Sequence, residues 1–213
     1  MIDEEKLIAK ALKEIPFEKS FMITSLPEVD YKPIKKIKKK LDIRKITGKD
    51  FGLRFIDIDS YAKIFGLKKI PDAVMVNVLK TKITDPKNIY IAVKKEVNES
   101  TVIHEIAHAL DYIAGSQLLP ALAQALSFEF SIPVEHLEHT HEFGYWFDYL
   151  RKRLHVKPDP EDYIICVLYE KGLLIKGEEI RKRDGSLLRK KSEAIIRFLL
   201  ENYNSLLSRI RSK

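Results

Sequence analysis

Between Asn98 and Gly115 the chain has one regular form open to it. Val102, Ile103, Ile106, Ala107, Leu110 and Ile113 recur at helical spacing, Asn98 is a good N-cap, and Gly115 is the residue that closes such a segment. A helix this apolar must be packed on by the rest of the fold.

That helix carries the chemistry. Residues 101–111 read Thr101-Val102-Ile103-His104-Glu105-Ile106-Ala107-His108-Ala109-Leu110-Asp111. The H-E-x-x-H spacing puts His104 and His108 one turn apart on one face, where both imidazoles reach one tetrahedral zinc ion. Glu105 lies off that line yet beside the metal, placed to take a proton from the attacking water, whose pKa zinc lowers to about 7. With six histidines in the chain, a chance H-E-x-x-H arises at a probability on the order of 1%. Asp111 falls on nearly the same face, either as acceptor for the second ring N–H of a ligand histidine or as a plain surface carboxylate.

A zinc hydrolase needs a third protein ligand and leaves the fourth position to water. Asp111 and Ala114 stand where the extended motif would place its glycine and third histidine, so the ligand comes from further on. The run Glu135-His136-Leu137-Glu138-His139-Thr140-His141-Glu142-Phe143 is the richest source of donors. Read as part of one helix, it puts His139 on the apolar stripe of Phe143, Trp146 and Leu150, the side that packs on the core. His139 is therefore the chosen ligand, with Glu142, then Glu138, His141, His136 and Glu135, as the alternatives. Tyr112, Tyr145, Tyr149 and Tyr163 are the candidates for stabilising an oxyanion.

Charge is unevenly spread. Lys and Arg outnumber Asp and Glu by 38 to 31, and the excess sits in two blocks, Lys32 to Lys45 and Arg181 to Lys213. These are either solvated helix faces or attraction sites for a polyanion, nucleic acid above all. With Cys166 as the single cysteine, neither an internal disulfide nor a cysteine-cage zinc site can form. The N-terminal Met1-Ile2-Asp3-Glu4-Glu5-Lys6 opens no long apolar run, and the apolar stretch from Ala109 to Phe130 is interrupted by Asp111, Gln117, Pro120, Gln124 and Glu129. The expectation is a cytoplasmic protein with no membrane span and no export signal.

Helical spacing predicts segments over residues 3–15, after Pro33, over 118–130, from Glu135 to about Leu154, over 161–172 and over 188–210. Between them lie β-like runs at 53–58, 73–79 and 89–93, the last two joined by a turn-rich loop and expected to pair as a hairpin.

At its two motifs the chain resembles the SprT-like zinc metallopeptidases, in which a strand precedes a T-x-x-H-E-x-x-H-A helix and a later H-x-x-x-F motif carries the third histidine. Thr101 to Ala109 match the first motif, and His139-Thr140-His141-Glu142-Phe143 the second, followed by Leu150 and Arg151-Lys152-Arg153. The likeness spans about residues 88–154. It implies a zinc endopeptidase acting on proteins or peptides, in some members on proteins trapped on DNA. Thr140 replaces the glycine common in that family, and its cysteine zinc ribbon is impossible here. A rival resemblance, to gluzincins similar to the anthrax lethal factor catalytic domain, rests on His104 to Asp111 with Gly115 and implies Glu142 or Glu138 as third ligand.

The fold expected is α+β and zincin-like: a small, mainly antiparallel sheet packed on the H-E-x-x-H helix and a ligand helix. Residues 1–50 form a basic helical segment, 51–155 the metallopeptidase core and 156–213 a helical extension. A different class of function, a nucleic-acid-binding or scaffolding protein with a structural or inactive zinc site, stands as the alternative.

Overall fold

The computed structural model describes residues 6, 17–76, 83, 85, 87–118 and 121–211. The helix expected over 3–15 and the residues of the 73–79 run beyond Val76 lie outside them. Within them the fold is α+β, with eleven helices around one three-stranded mixed sheet. Strand β1 (Gly52–Asp57) runs parallel to β3 (Asn88–Val93), and β2 (Ala73–Met75) runs antiparallel to β3 on its other side. The longer pairing is thus the parallel one, against the expectation of a mainly antiparallel sheet. The reason is topological: α4 (Ile58–Phe65) follows β1 directly, capped by Asp57, and turns the chain back through β2 before β3.

The central strand, Asn88-Ile89-Tyr90-Ile91-Ala92-Val93, is buried on both faces, which its unbroken apolar run demands. Ile91 and Val93 face α5 (Glu99–Ala114) in the main core, together with Phe55, Ile103, Ile106 and Leu110. Tyr90 and Ala92 point the other way, onto Ile56, Ile58 and Ile23 of α1 (Phe17–Ser25). The basic segment holds α2 (Lys32–Lys38) and α3 (Ile43–Thr47); Ile34 and Ile37 of α2 enter the main core while its lysines stay outside.

Beyond α5 come α6 (Leu122–Phe130), α7 (Glu135–Glu138), α8 (His141–Leu154), α9 (Pro160–Glu170), α10 (Gly177–Lys182) and α11 (Gly185–Arg211). The single helix expected from Glu135 to Leu154 is broken at His139 and Thr140. Thr140 caps the second piece, its hydroxyl accepting from Phe143 N at 2.9 Å. The main apolar cluster runs from Ile34 through Phe143 and Phe147 to Leu188 and Ile195, so the C-terminal helices share the core of the H-E-x-x-H helix. Among the described residues no helix is long and apolar enough to cross a membrane.

Candidate metal centre

The two imidazoles of α5 stand where one helical turn puts them: His108 Nε2 lies 3.1 Å from His104 Nε2. His139 arrives from the break between α7 and α8, and its Nε2 lies 3.3 Å from that of His104. The three candidate ligand atoms all fall within 4.8 Å of one another. Beneath them Phe143 closes the floor, its ring centre 4.3 Å from that of His108 and 4.9 Å from that of His139.

The outer nitrogens decide what the inner ones can be. His104 Nδ1 lies 2.6 Å from Asp162 Oδ1, and His139 Nδ1 lies 3.1 Å from the Glu135 carbonyl oxygen. Both partners only accept, so each Nδ1 carries the proton and each neutral ring turns a bare Nε2 lone pair inward. Two such lone pairs 3.3 Å apart repel unless a metal ion, or a second proton on the more basic His104, sits between them. Nitrogen ligands at about 2.0–2.1 Å around a tetrahedral metal stand roughly 3.3 Å apart. The residues present therefore fit a metal ion, and an all-imidazole set suits a transition metal rather than magnesium or calcium.

Electrostatics agree for two of the three rings. Burial, reinforced by neighbouring His104, pushes His108 well below the ordinary histidine value and His139 down to about 3, so both are neutral near pH 7, the form that can bind a metal. His104 goes the other way: burial works to lower it, but the bond to Asp162 and the charge of Glu105 win and raise it. Burial raises the Glu105 carboxyl against the pull of His104 and of the Met75 N–H, which donates to its Oε2 at 2.6 Å. Glu138 is pushed up to about 7 by burial and by Glu135 and Glu105.

Neither reading of Asp111 holds, since it is buried. Asp111 supports no ligand histidine. Its Oδ1 accepts from Ser116 N at 2.7 Å, and its Oδ2 from Ser116 Oγ at 2.8 Å and Thr140 Oγ1 at 3.1 Å. The chain doubles back at Gly115, where a Cβ would strike the Asp111 carboxylate, and this return brings Ser116 under α5. Burial pushes Asp111 up to about 6, and three donors hold it down to that value. The carboxylate that does orient a candidate ligand, His104, is Asp162, from α9, whose Oδ2 also accepts from Ser100 Oγ at 2.6 Å. Only an Asp-rich helix start, Asp159-Pro160-Glu161-Asp162, marks this residue in the sequence, and that pattern signals capping rather than support of a ligand.

The other donors of the histidine-rich run point elsewhere. Glu142 Oε2 accepts from Gly177 N at 3.0 Å, His136 meets Ser192 Oγ at 2.8 Å, His141 packs against Tyr169, and Glu135 is exposed. Glu138 remains beside the site, lining with Glu105, Met75, Tyr61 and Tyr112 a cavity of about 440 Å³ that opens on the three histidines. Of the four tyrosines considered, Tyr112 alone lines that cavity; Tyr61, from α4, was missed because it lies on an unrelated helix. No protein-family model, no curated protein and no solved structure matches the chain.

Proposed function

We propose that this protein is a zinc-dependent peptidase, a zincin-like relative of the SprT-like enzymes, with His104, His108 and His139 as metal ligands and Glu105 as general base. The observation that carries the reading is the convergence of three inward imidazole nitrogens beside a buried carboxylate that binds none of them. When bound, zinc would lower the pKa of a water toward about 7 and polarise a carbonyl. Glu105 then takes the proton of the attacking water and passes it to the leaving amine. Asp162 fixes the ring and tautomer of His104, and the Glu135 carbonyl does the same for His139.

A peptide substrate is supported by the sheet edge. Val76 N donates to Tyr90 O and Lys94 N to Asp72 O, so the main-chain groups of Ala73 and Met75 face away from β3. Met75 turns its N–H to Glu105 on that side, where no other described strand pairs. An extended peptide can add there as a further strand, with its backbone beside the base. A structural zinc would be closed by a fourth protein ligand, whereas the group found among the described residues has three. Lys38, Lys39, Lys40 and Arg44 line an open hollow together with Asp42 and Asp50, a net positive surface that keeps DNA-associated proteins within the substrate range. The test is cleavage of casein or a peptide library with and without chelator, in wild type and Glu105→Gln. Chelator-insensitive cleavage, or equal cleavage by the variant, would refute the reading.

A further inference from the structure

Helix α11 carries two apolar stripes. Leu188, Ile195 and Leu206 face the protein and are buried. A second stripe, Ile196, Leu200, Tyr203, Leu207 and Ile210, advances by alternating steps of four and three residues, the spacing of a coiled-coil seam. Its first three residues are bare, Ile196 41% exposed, Leu200 73% and Tyr203 60%, while Leu207 and Ile210 are half-buried. The inward packing of α11 uses none of these three, so something other than the core accounts for them.

We propose that this seam is a dimer interface, covered by α11 of a second copy running antiparallel. With the two-fold axis between Glu201 and Asn202, Ile196 meets Leu207 of the other copy and Leu200 meets Tyr203, and symmetry repeats both contacts. One step outward, Glu193 falls beside Ile210 and Arg211 of the other copy, an opposite-charge pairing at each end of the seam. A parallel pairing would instead stack Glu193 on Glu193 and Arg189 on Arg189, like on like. The helix is already held by the core, so association carries no folding cost. Four helical turns bury less than the roughly 800 Å² per partner of a standard interface, which puts the dimer in the small-interface class.

The experiment is sedimentation equilibrium of the full chain from about 1 to about 500 µM. Wild type is expected to pass from monomer to dimer. Leu200→Glu, and separately Tyr203→Lys, should remain monomeric throughout with unchanged helix content, a weakening of at least ~100-fold. Glu193→Arg should weaken the dimer by ~5–10-fold, and adding Arg211→Glu should restore it to within about twofold. A wild type that stays monomeric, or a Leu200→Glu variant that still dimerises, overturns the interface. Failure of the charge exchange to restore association overturns the antiparallel register.

Discussion

Two parts of the candidate metal centre are built in different ways. His104 and His108 belong to one long helix, so their spacing is a property of local geometry and survives as long as α5 does. His139 belongs to no helix. Its position depends on Thr140 beginning α8, on the Glu135 carbonyl behind its ring, and on Asp111 holding the Thr140 hydroxyl. One part is rigid by secondary structure and the other by two local hydrogen bonds and one tertiary bond, from Thr140 to Asp111, so substitutions around the second should loosen the metal without unfolding the helix that carries the first.

The largest expected effect leaves both parts intact. Glu105→Gln should lower peptide hydrolysis by about 10²–10⁴-fold while zinc content, measured by plasma emission spectroscopy, stays at the wild-type level. His139→Ala should then remove most of the bound zinc, whereas Glu142→Ala should keep it, because Glu142 is occupied with Gly177. The opposite pattern would restore the glutamate-ligand reading and break the comparison.

Asp162→Asn should weaken zinc by about 10–100-fold in a chelator competition. It should also change how binding responds to pH. The raised His104 is the ring that protons contest, since His108 and His139 are held neutral. Wild-type affinity should fall about tenfold per pH unit below the His104 pKa, a one-proton slope; a two- or three-proton slope would show the rings to be equivalent. The metal-free protein should respond in the opposite sense. A raised histidine contributes stability that is complete below its ordinary value of 6.5 and is lost as pH rises through the higher folded value. In thermal melts of the chelated protein, the stability difference between wild type and Asp162→Asn should therefore shrink as pH rises above 6.5, a difference that cancels the opposite contributions of the lowered His108 and His139.

The smallest change sharpens the comparison most. Thr140→Val removes the α8 cap and the hydroxyl bond to Asp111, with an expected cost of about 1–3 kcal/mol and a loss of zinc affinity. Thr140→Ser should recover both, since it keeps the hydroxyl. Equal zinc affinity in Thr140→Val would mean that His139 is placed by something other than this cap.

What the residues by themselves determined here is what repeats within one turn or one pleat. The α5 helix with its cap at Asn98, the pairing of His104 with His108, the apolar run at 89–93 and the helical texture of the C-terminal third all follow from side-chain period and capping chemistry. His139 too was legible as a residue, although it lies just outside the helix whose apolar stripe of Phe143, Trp146 and Leu150 pointed to it. Thr140, a capping residue in the middle of the histidine-rich run, was the one local sign of the break. Tertiary structure alone decided the parallel pairing of β1 with β3, the turn of Asp111 toward Ser116 and Thr140, and the support of His104 by Asp162 from 58 residues away. Local spacing reports which side chains share a face. Which faces meet is settled by burying the whole core at once, and a hydrogen bond across that core leaves no periodic trace in the chain.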